Sequence, residues 1–235
     1  MKKPKAILFD MGGTIISYNN FDPVKGTKKI IENCKNPKNV AAETVQNFAT
    51  ELNKEFNKIK DENNIEIHCR SFHRLIYEMF GLEYEKSPRE MELLFKKNAW
   101  ELKLIEGVME LLDFLKEKDI RRAILSNTSF SEEALWYELK QFDIDDKFEF
   151  IISTSEYCLR KPDKRIFDLA LIKFDLNPDE VWYVGNSFKY DVVGANNANI
   201  QPIWYNVKSL KQESDISYLN IQDYNELIIE LKNIV

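Results

Sequence analysis

Apolar and polar positions follow two rhythms along this chain. "AILF" at 6–9 is an unbroken apolar run that stops on Asp10, with Gly12 and Gly13 close behind. A short run of this kind, ended by turn residues, predicts a strand buried on both faces. From Asp22 to about Trp100 the rhythm is helical. Asp22 before Pro23 predicts an N-cap with proline at the first helical position. "VAAETVQNFATELNKEFNKIK" repeats apolar residues at three- and four-residue spacing, with charge on the other face. "FHRLIYEMFGL", which meets Gly81 as a stop, and "PREMELLFKKNAW" predict two further helices.

Beyond Trp100 helix and strand alternate. "EGVMELLDFLKEKD", "SEEALWYELKQF", "DKRIFDLALIKF", "VVGANNAN" and "DYNELIIELKNIV" predict helices; "RRAILSN", "FEFIIST", "VWYVGN" and "QPIWYNV" predict the strands between them. Short apolar strands joined by helices form parallel sheets covered on both faces. The expected fold is therefore α/β: a Rossmann-like parallel-sheet core of residues 1–16 and 104–235, with an all-helical insert at 17–103 after the first strand.

In open parallel sheets, ligands bind beyond the carboxyl ends of the strands. Asp10 ends the first strand, Ser126 and Asn127 end "AILSN", Lys161 follows "FEFIIST" by a loop, and Gly185 and Asn186 end "VWYVGN", with Asp191 shortly after. Four segments thus deliver polar groups to one rim, which predicts a pocket.

Composition narrows the function. The chain has 235 residues, 44% hydrophobic, enough for a sizeable core, and a formal net charge of -6 with no Lys/Arg stripe, which argues against a nucleic-acid surface. "MKKPK" precedes only four apolar residues, too few for a signal-peptide core or a membrane span. Cys34, Cys69 and Cys158 are odd in number and widely spaced, which fits reduced thiols in a cytoplasmic protein better than disulfides or a zinc site. His68 and His73, five apart, do not share a helical face cleanly and are not expected to bind a metal together. Arg70 and Arg74 are read as a solvated face, and Phe48, Phe56, Phe72, Tyr77 and Phe80 as core.

The polar rim resembles the haloacid dehalogenase superfamily of aspartate-nucleophile hydrolases. "LFDMGGT" is similar to its first motif, "ILSNTS" to the second, "RKPD" to the third and "GNSFKYDVVGA" to the fourth, in the family's order. The insert stands where the helical cap of one large subgroup belongs. The resemblance implies Asp10 as nucleophile, since a carboxylate can attack phosphorus or carbon and divide one hard step into two. It implies Mg2+ held by Asp10, the Gly12 carbonyl, Asn186 and Asp191. Ser126 and Asn127 would donate to a phosphoryl oxygen, Lys161 would stabilise developing negative charge, and Gly12 and Gly13 would let the backbone approach an anion. The implied protein is a monomer or homodimer that hydrolyses a small phosphorylated metabolite through an aspartyl-phosphate, under a cap that closes over the rim.

Two positions depart from the family's phosphatase pattern. Gly12 stands where an aspartate usually protonates the leaving oxygen, and Asn186 where an acid usually binds metal. Bacterial sugar-phosphate phosphatases of the family with similar "LSNT" and "RKP" motifs also carry glycine at the first. The 2-haloacid dehalogenases also lack the acid there, because a halide leaves without a proton, and they need no metal. Dehalogenation, or ligand binding without efficient catalysis, are therefore the alternative expectations.

Overall fold

The computed structural model describes residues 2–234. Ala6–Phe9 forms β1, with every side chain buried; Ala6 and Leu8 face one side of the sheet, Ile7 and Phe9 the other. A tight turn follows, in which the Ile15 and Ile16 amides both donate to the Met11 carbonyl. It leads into Ile16–Asn19 (β2).

The insert comes next. Pro23–Ile31 (α1) starts on Asp22, whose side chain accepts from the Lys25 amide. Cys34–Lys35 (β3), Ala42–Asn63 (α2), Cys69–Met79 (α3), Glu83–Tyr84 (β4) and Pro88–Ala99 (α4) complete it. Ser87 and Glu90 form a capping box at the start of α4, satisfying two orphan donors reciprocally. Ile30, Val45, Ile76, Tyr77, Met91 and Phe95 form an apolar cluster separate from those on the sheet. This is the helical cap, expected to be all-helical, which also carries the short antiparallel pair of β3 with β4.

Glu101–Leu104 (β5) pairs antiparallel with β2, so the two chain passages between sheet and cap run side by side. This ribbon was not predicted. The expected helix through Trp100 ends at Ala99, because Trp100 is already extended to enter β5 (φ -137°, ψ 153°).

The core continues with Val108–Glu117 (α5), Arg121–Ser126 (β6), Glu132–Lys140 (α6), Ile151–Ser153 (β7), Lys164–Phe174 (α7), Val181–Gly185 (β8), Val193–Asn197 (α8), Gln201–Tyr205 (β9), Leu219–Ile221 (β10) and Tyr224–Ile234 (α9). The six core strands form one parallel sheet in the order β10-β9-β8-β1-β6-β7. Helices α5, α6 and α9 cover one face, α7 and α8 the other. β10 was not foreseen, and "FEFIIST" shortens to three strand residues. The last helix was expected to reach Val235, which lies outside the described residues, as does Met1 at the start of the core segment. Among the described residues, no helix is long and apolar enough to cross a membrane.

Candidate active site

β1 lies between β6 and β8, with Phe9 level with Ile124 on one side and Val184 on the other. The next residue, Asp10, therefore emerges at the carboxyl edge beside the ends of both neighbours, and its amide donates to the Val184 carbonyl at 2.8 Å. A cavity of about 430 Å³ opens there. Asp10, Gly12, Ser126, Asn127, Lys161, Asn186 and Asp191 all line it. Gly13, expected to help bind the anion, does not; its amide donates to the Ile16 carbonyl at 2.8 Å within the turn.

The centre of the floor is Lys161, which is 1% exposed. Its ammonium donates to Asp10 Oδ1 at 2.8 Å, to Asp191 Oδ1 at 2.6 Å and to the Tyr183 hydroxyl at 2.6 Å. All three of its hydrogens thus have acceptors, as a buried ammonium requires. Burial works against the lysine's charge, but Asp10 and Asp191 outweigh it and raise the lysine's pKa. Two carboxylates share this one cation. Burial pushes the Asp10 carboxyl up to about 6; Lys161 pulls it down and Asp191 adds to the rise. Tyr183 is raised well above the usual phenol range by burial, then by the charges of Asp191 and Asp10.

The surrounding backbone holds this cluster. Asn127 donates to the Lys161 carbonyl at 3.0 Å and accepts from the Lys161 amide at 2.8 Å. Its side chain, expected to donate to the ligand, therefore also fixes the lysine's backbone. Thr14 donates to Asp10 Oδ2 at 3.3 Å. Asp191 could have been the N-cap of the short helix after β8, but Ser187 takes that place, its hydroxyl accepting from the Tyr190 amide at 3.3 Å. The Asp191 carboxylate instead turns back to accept from the Ser187 amide at 2.8 Å. It does so within a turn of π-helix at 188–192 that leads into α8.

Glycine at 13 and at 185 follows from shape. Gly13 has φ +76°, and a Cβ there would lie 2.2 Å from Asn186 Nδ2. At Gly185 a Cβ would lie 2.3 Å from the Asp191 carboxyl carbon. Gly12 differs: a Cβ there would meet only the Tyr18 ring, at 3.4 Å.

The roof was not foreseen. Tyr18 on β2, Lys96 on α4, Trp100 after α4, and Phe130 in the loop after β6 close the cavity from above. Arg160 and Tyr190 form a side wall and tie it to the cap, the first pairing with Asp61 at 3.1 Å and the second donating to it at 3.2 Å. Sequence offered one usable signal: aromatic residues flank the crossings into and out of the cap.

Outside the cavity, the cap meets the core through buried carboxylates. Glu92 on α4 accepts from the Ser131 amide at 2.6 Å and the Ser131 hydroxyl at 2.9 Å, at the start of α6. It also accepts from Arg70 at 2.6 Å. Arg70 is thus not part of a solvated face; only Arg74, paired with Glu78 at 2.8 Å, fits that description. His68, Cys69 and Glu92 stand close enough to hold a metal ion, but both Glu92 oxygens are taken by protein donors, so the group is a polar joint. His68 caps α3, accepting from the Arg70 amide, and His73 is buried among rings. Burial lowers the His73 pKa to about 4, against the pull of Glu92. Among the described residues the cysteines form no disulfide.

Comparison with known proteins agrees with this architecture. Residues 7–205 match the model of the haloacid dehalogenase-like hydrolase family. The chain is 26% identical over 240 residues to the glyceraldehyde 3-phosphate phosphatase of Pyrococcus furiosus, covering 100% of this chain and 93% of that one. It is 31% identical over 127 residues to the phosphorylated carbohydrates phosphatase of Thermotoga maritima, 54% of each chain. Its fold is similar to the 2-haloacid dehalogenase of Pseudomonas syringae, with a TM-score of 0.67 over 100% of both chains at 17% identity. With the sheet order, the helical cap and the matched span together, the chain belongs to the haloacid dehalogenase-like hydrolases.

Proposed function

We propose that this hydrolase cleaves the phosphate ester of a small carbohydrate or aldehyde through an aspartyl-phosphate on Asp10. The observation that carries this reading is the Lys161 ammonium shared between Asp10 and Asp191 on the cavity floor. Support for the substrate class comes from the full-length similarity to a glyceraldehyde 3-phosphate phosphatase. Residues 1–16 and 104–235 act as the catalytic core and 17–103 as the cap, joined through the β2–β5 ribbon.

Among the described residues, Asp10 Oδ1 is held by Lys161 at 2.8 Å, while Oδ2 accepts the longer side-chain bond from Thr14 at 3.3 Å. Oδ2 is therefore the attacking atom. It forms a bond to phosphorus as the ester P–O bond breaks. The leaving alkoxide takes its proton from water, because Gly12 carries no carboxyl group. Ser126 and the second amide hydrogen of Asn127 donate to the phosphoryl oxygens, and Lys161 holds the attacking carboxylate in place. A water molecule then attacks phosphorus and frees phosphate and Asp10.

The floor fits Mg2+. Its donors are oxygens throughout: two carboxylates, the Asn186 amide and the Gly12 carbonyl. Two acids against one lysine leave a buried negative charge uncompensated. Hard divalent cations take such sets, with water completing the shell. Asp10, Gly12, Asn186 and Asp191 would hold the ion, which when bound supplies positive charge toward the phosphoryl oxygens.

Dehalogenation is the second reading, favoured by the missing acid at Gly12. A panel of phosphorylated metabolites, with and without EDTA, decides between them when run beside chloride release from 2-chloropropionate. Metal-dependent phosphate release supports the proposal. Chloride release without metal supports the dehalogenase. Neither product at high enzyme concentration leaves a ligand-binding role.

A further inference from the structure

The roof of the cavity contains a second buried lysine that the phosphoryl chemistry does not use. Lys96 is 6% exposed and lines the cavity from α4. Its ammonium lies 3.1 Å from Glu138 Oε1 on α6. The other oxygen of Glu138 accepts from the Tyr18 hydroxyl at 2.7 Å. Around the ammonium stand three rings: Phe130 at 4.2 Å, Tyr18 at 5.1 Å and Trp100 at 5.9 Å from ring centre.

An ammonium has three hydrogens to place. Rings attract its charge but do not replace oxygen acceptors. Among the described residues Glu138 is its one ion-pair partner, and the approach is poorly aligned, since Glu138 Oε1 is left without a formal hydrogen bond. Glu138 does not line the cavity; it sits behind Lys96. The lysine is therefore anchored from the back and presents donors to whatever occupies the cavity.

The charge balance indicates what that occupant carries. Glu138 already offsets Lys96. A carboxylate brought beside them would add uncompensated negative charge to a buried space that also holds Asp10, Asp191 and the phosphoryl group. A hydroxyl or carbonyl oxygen accepts the same hydrogen bond without that penalty, and ring faces suit the C–H surface of a short carbon chain.

The geometry points to Lys96 as the residue that selects the leaving group, by donating to an uncharged hydroxyl or carbonyl oxygen. Glu138 and Tyr18 act as positioning residues behind it. The inference rests on the phosphatase reading and adds to it the part of the substrate that the cap recognises.

The test compares kcat/KM for three esters that share the phosphate: glycerol 1-phosphate, propyl phosphate and 3-phosphoglycerate. Wild-type protein favours glycerol 1-phosphate over both others. Lys96→Met lowers the ratio of glycerol 1-phosphate to propyl phosphate by roughly 10- to 100-fold, the usual range for one charged hydrogen bond. The double variant Lys96→Met with Glu138→Leu, which leaves no buried charge without its partner, shows the same fall in ratio. Glu138→Gln, which frees the lysine's charge, shifts preference toward 3-phosphoglycerate by about 10-fold. An equal loss on all three esters in both lysine variants would make Lys96 a packing residue and overturn the assignment. Wild-type preference for 3-phosphoglycerate would overturn the choice of an uncharged oxygen. If wild-type protein released no phosphate even from propyl phosphate, the phosphatase reading would fail first and the inference with it.

Discussion

The cavity has a buried lysine at each end, and each keeps similar company. On the floor Lys161 meets Asp10, Asp191 and Tyr183; in the roof Lys96 meets Glu138 and Tyr18. The difference lies in the count of acids. Two carboxylates share the floor lysine, so that end is short of positive charge and suits a cation and a phosphoryl group. One carboxylate matches the roof lysine, so that end is balanced and suits neutral oxygen. On the proposed reading, similar side chains separate chemistry from recognition by stoichiometry. The floor is also internal to the sheet domain, whereas the roof is completed only when α4, β2 and α6 come together.

The largest expected effect is on the floor. Asp10→Asn keeps the shape and removes the proposed nucleophile, so the rate should fall at least ~10⁴-fold in single-turnover assays with 4-nitrophenyl phosphate. The thermal midpoint should hold or rise, because a desolvated carboxylate is replaced by an amide. A near-wild-type rate would remove the floor's role altogether.

Lys161→Met should lower kcat by roughly 10²- to 10³-fold on every ester, whatever its leaving group. It should also cost about 3–5 kcal/mol of stability, measured by urea unfolding, since it strands two buried carboxylates. A loss confined to hydroxylated esters would erase the distinction between floor and roof.

His73 sharpens the contrast at smaller scale. It sits among rings as Lys96 does, but with no carboxylate in contact, and burial lowers its pKa to about 4. The unfolded chain binds this proton near pH 6.5 and the folded chain only near 4. Stability from this residue is therefore complete above about pH 6.5 and is lost as pH falls toward 4. Unfolding free energy should drop by about 2 kcal/mol between pH 7 and 5 from this group, and His73→Phe should remove that part of the slope. An unchanged slope in the variant would show that the proton is taken up elsewhere.

How much of this was legible in sequence follows from the same contrast. Asp10 and Ser126 sit at strand ends, and Lys161 and Asp191 in the segments that follow β7 and β8, where polar residues carry positional meaning, so these four could be gathered from the sequence. Tyr183 could not. It lies between Trp182 and Val184 in a strand buried throughout, and only the sheet order shows that its hydroxyl reaches Lys161. Lys96 was hidden for another reason. In "FKKNAW" it looks like its neighbour Lys97, and nothing local says which lysine turns inward; Lys97 lies over the Tyr137 ring instead. The β2–β5 ribbon escaped because its halves are four residues each and become strands only by pairing across the whole cap. Arg70 was misread because its partner is a carboxylate on another helix.

Glu92 and Lys96 stand one turn apart on α4, and each grips α6. Glu92 meets Ser131 at the helix start, and Lys96 meets Glu138 further along. Opposite charges at these two points make the docking register unique. If α4 slid along α6 by a single turn, about 5.4 Å, in the direction that brings Glu92 to where Lys96 now lies, a carboxylate would face Glu138. Two buried acids would then stand against each other, and the exposed donors at the start of α6 would lose their acceptor. The docked cap therefore has no stable neighbouring notch one turn away to settle into. The height of the roof above Asp10 is set like a key with two teeth of opposite sign.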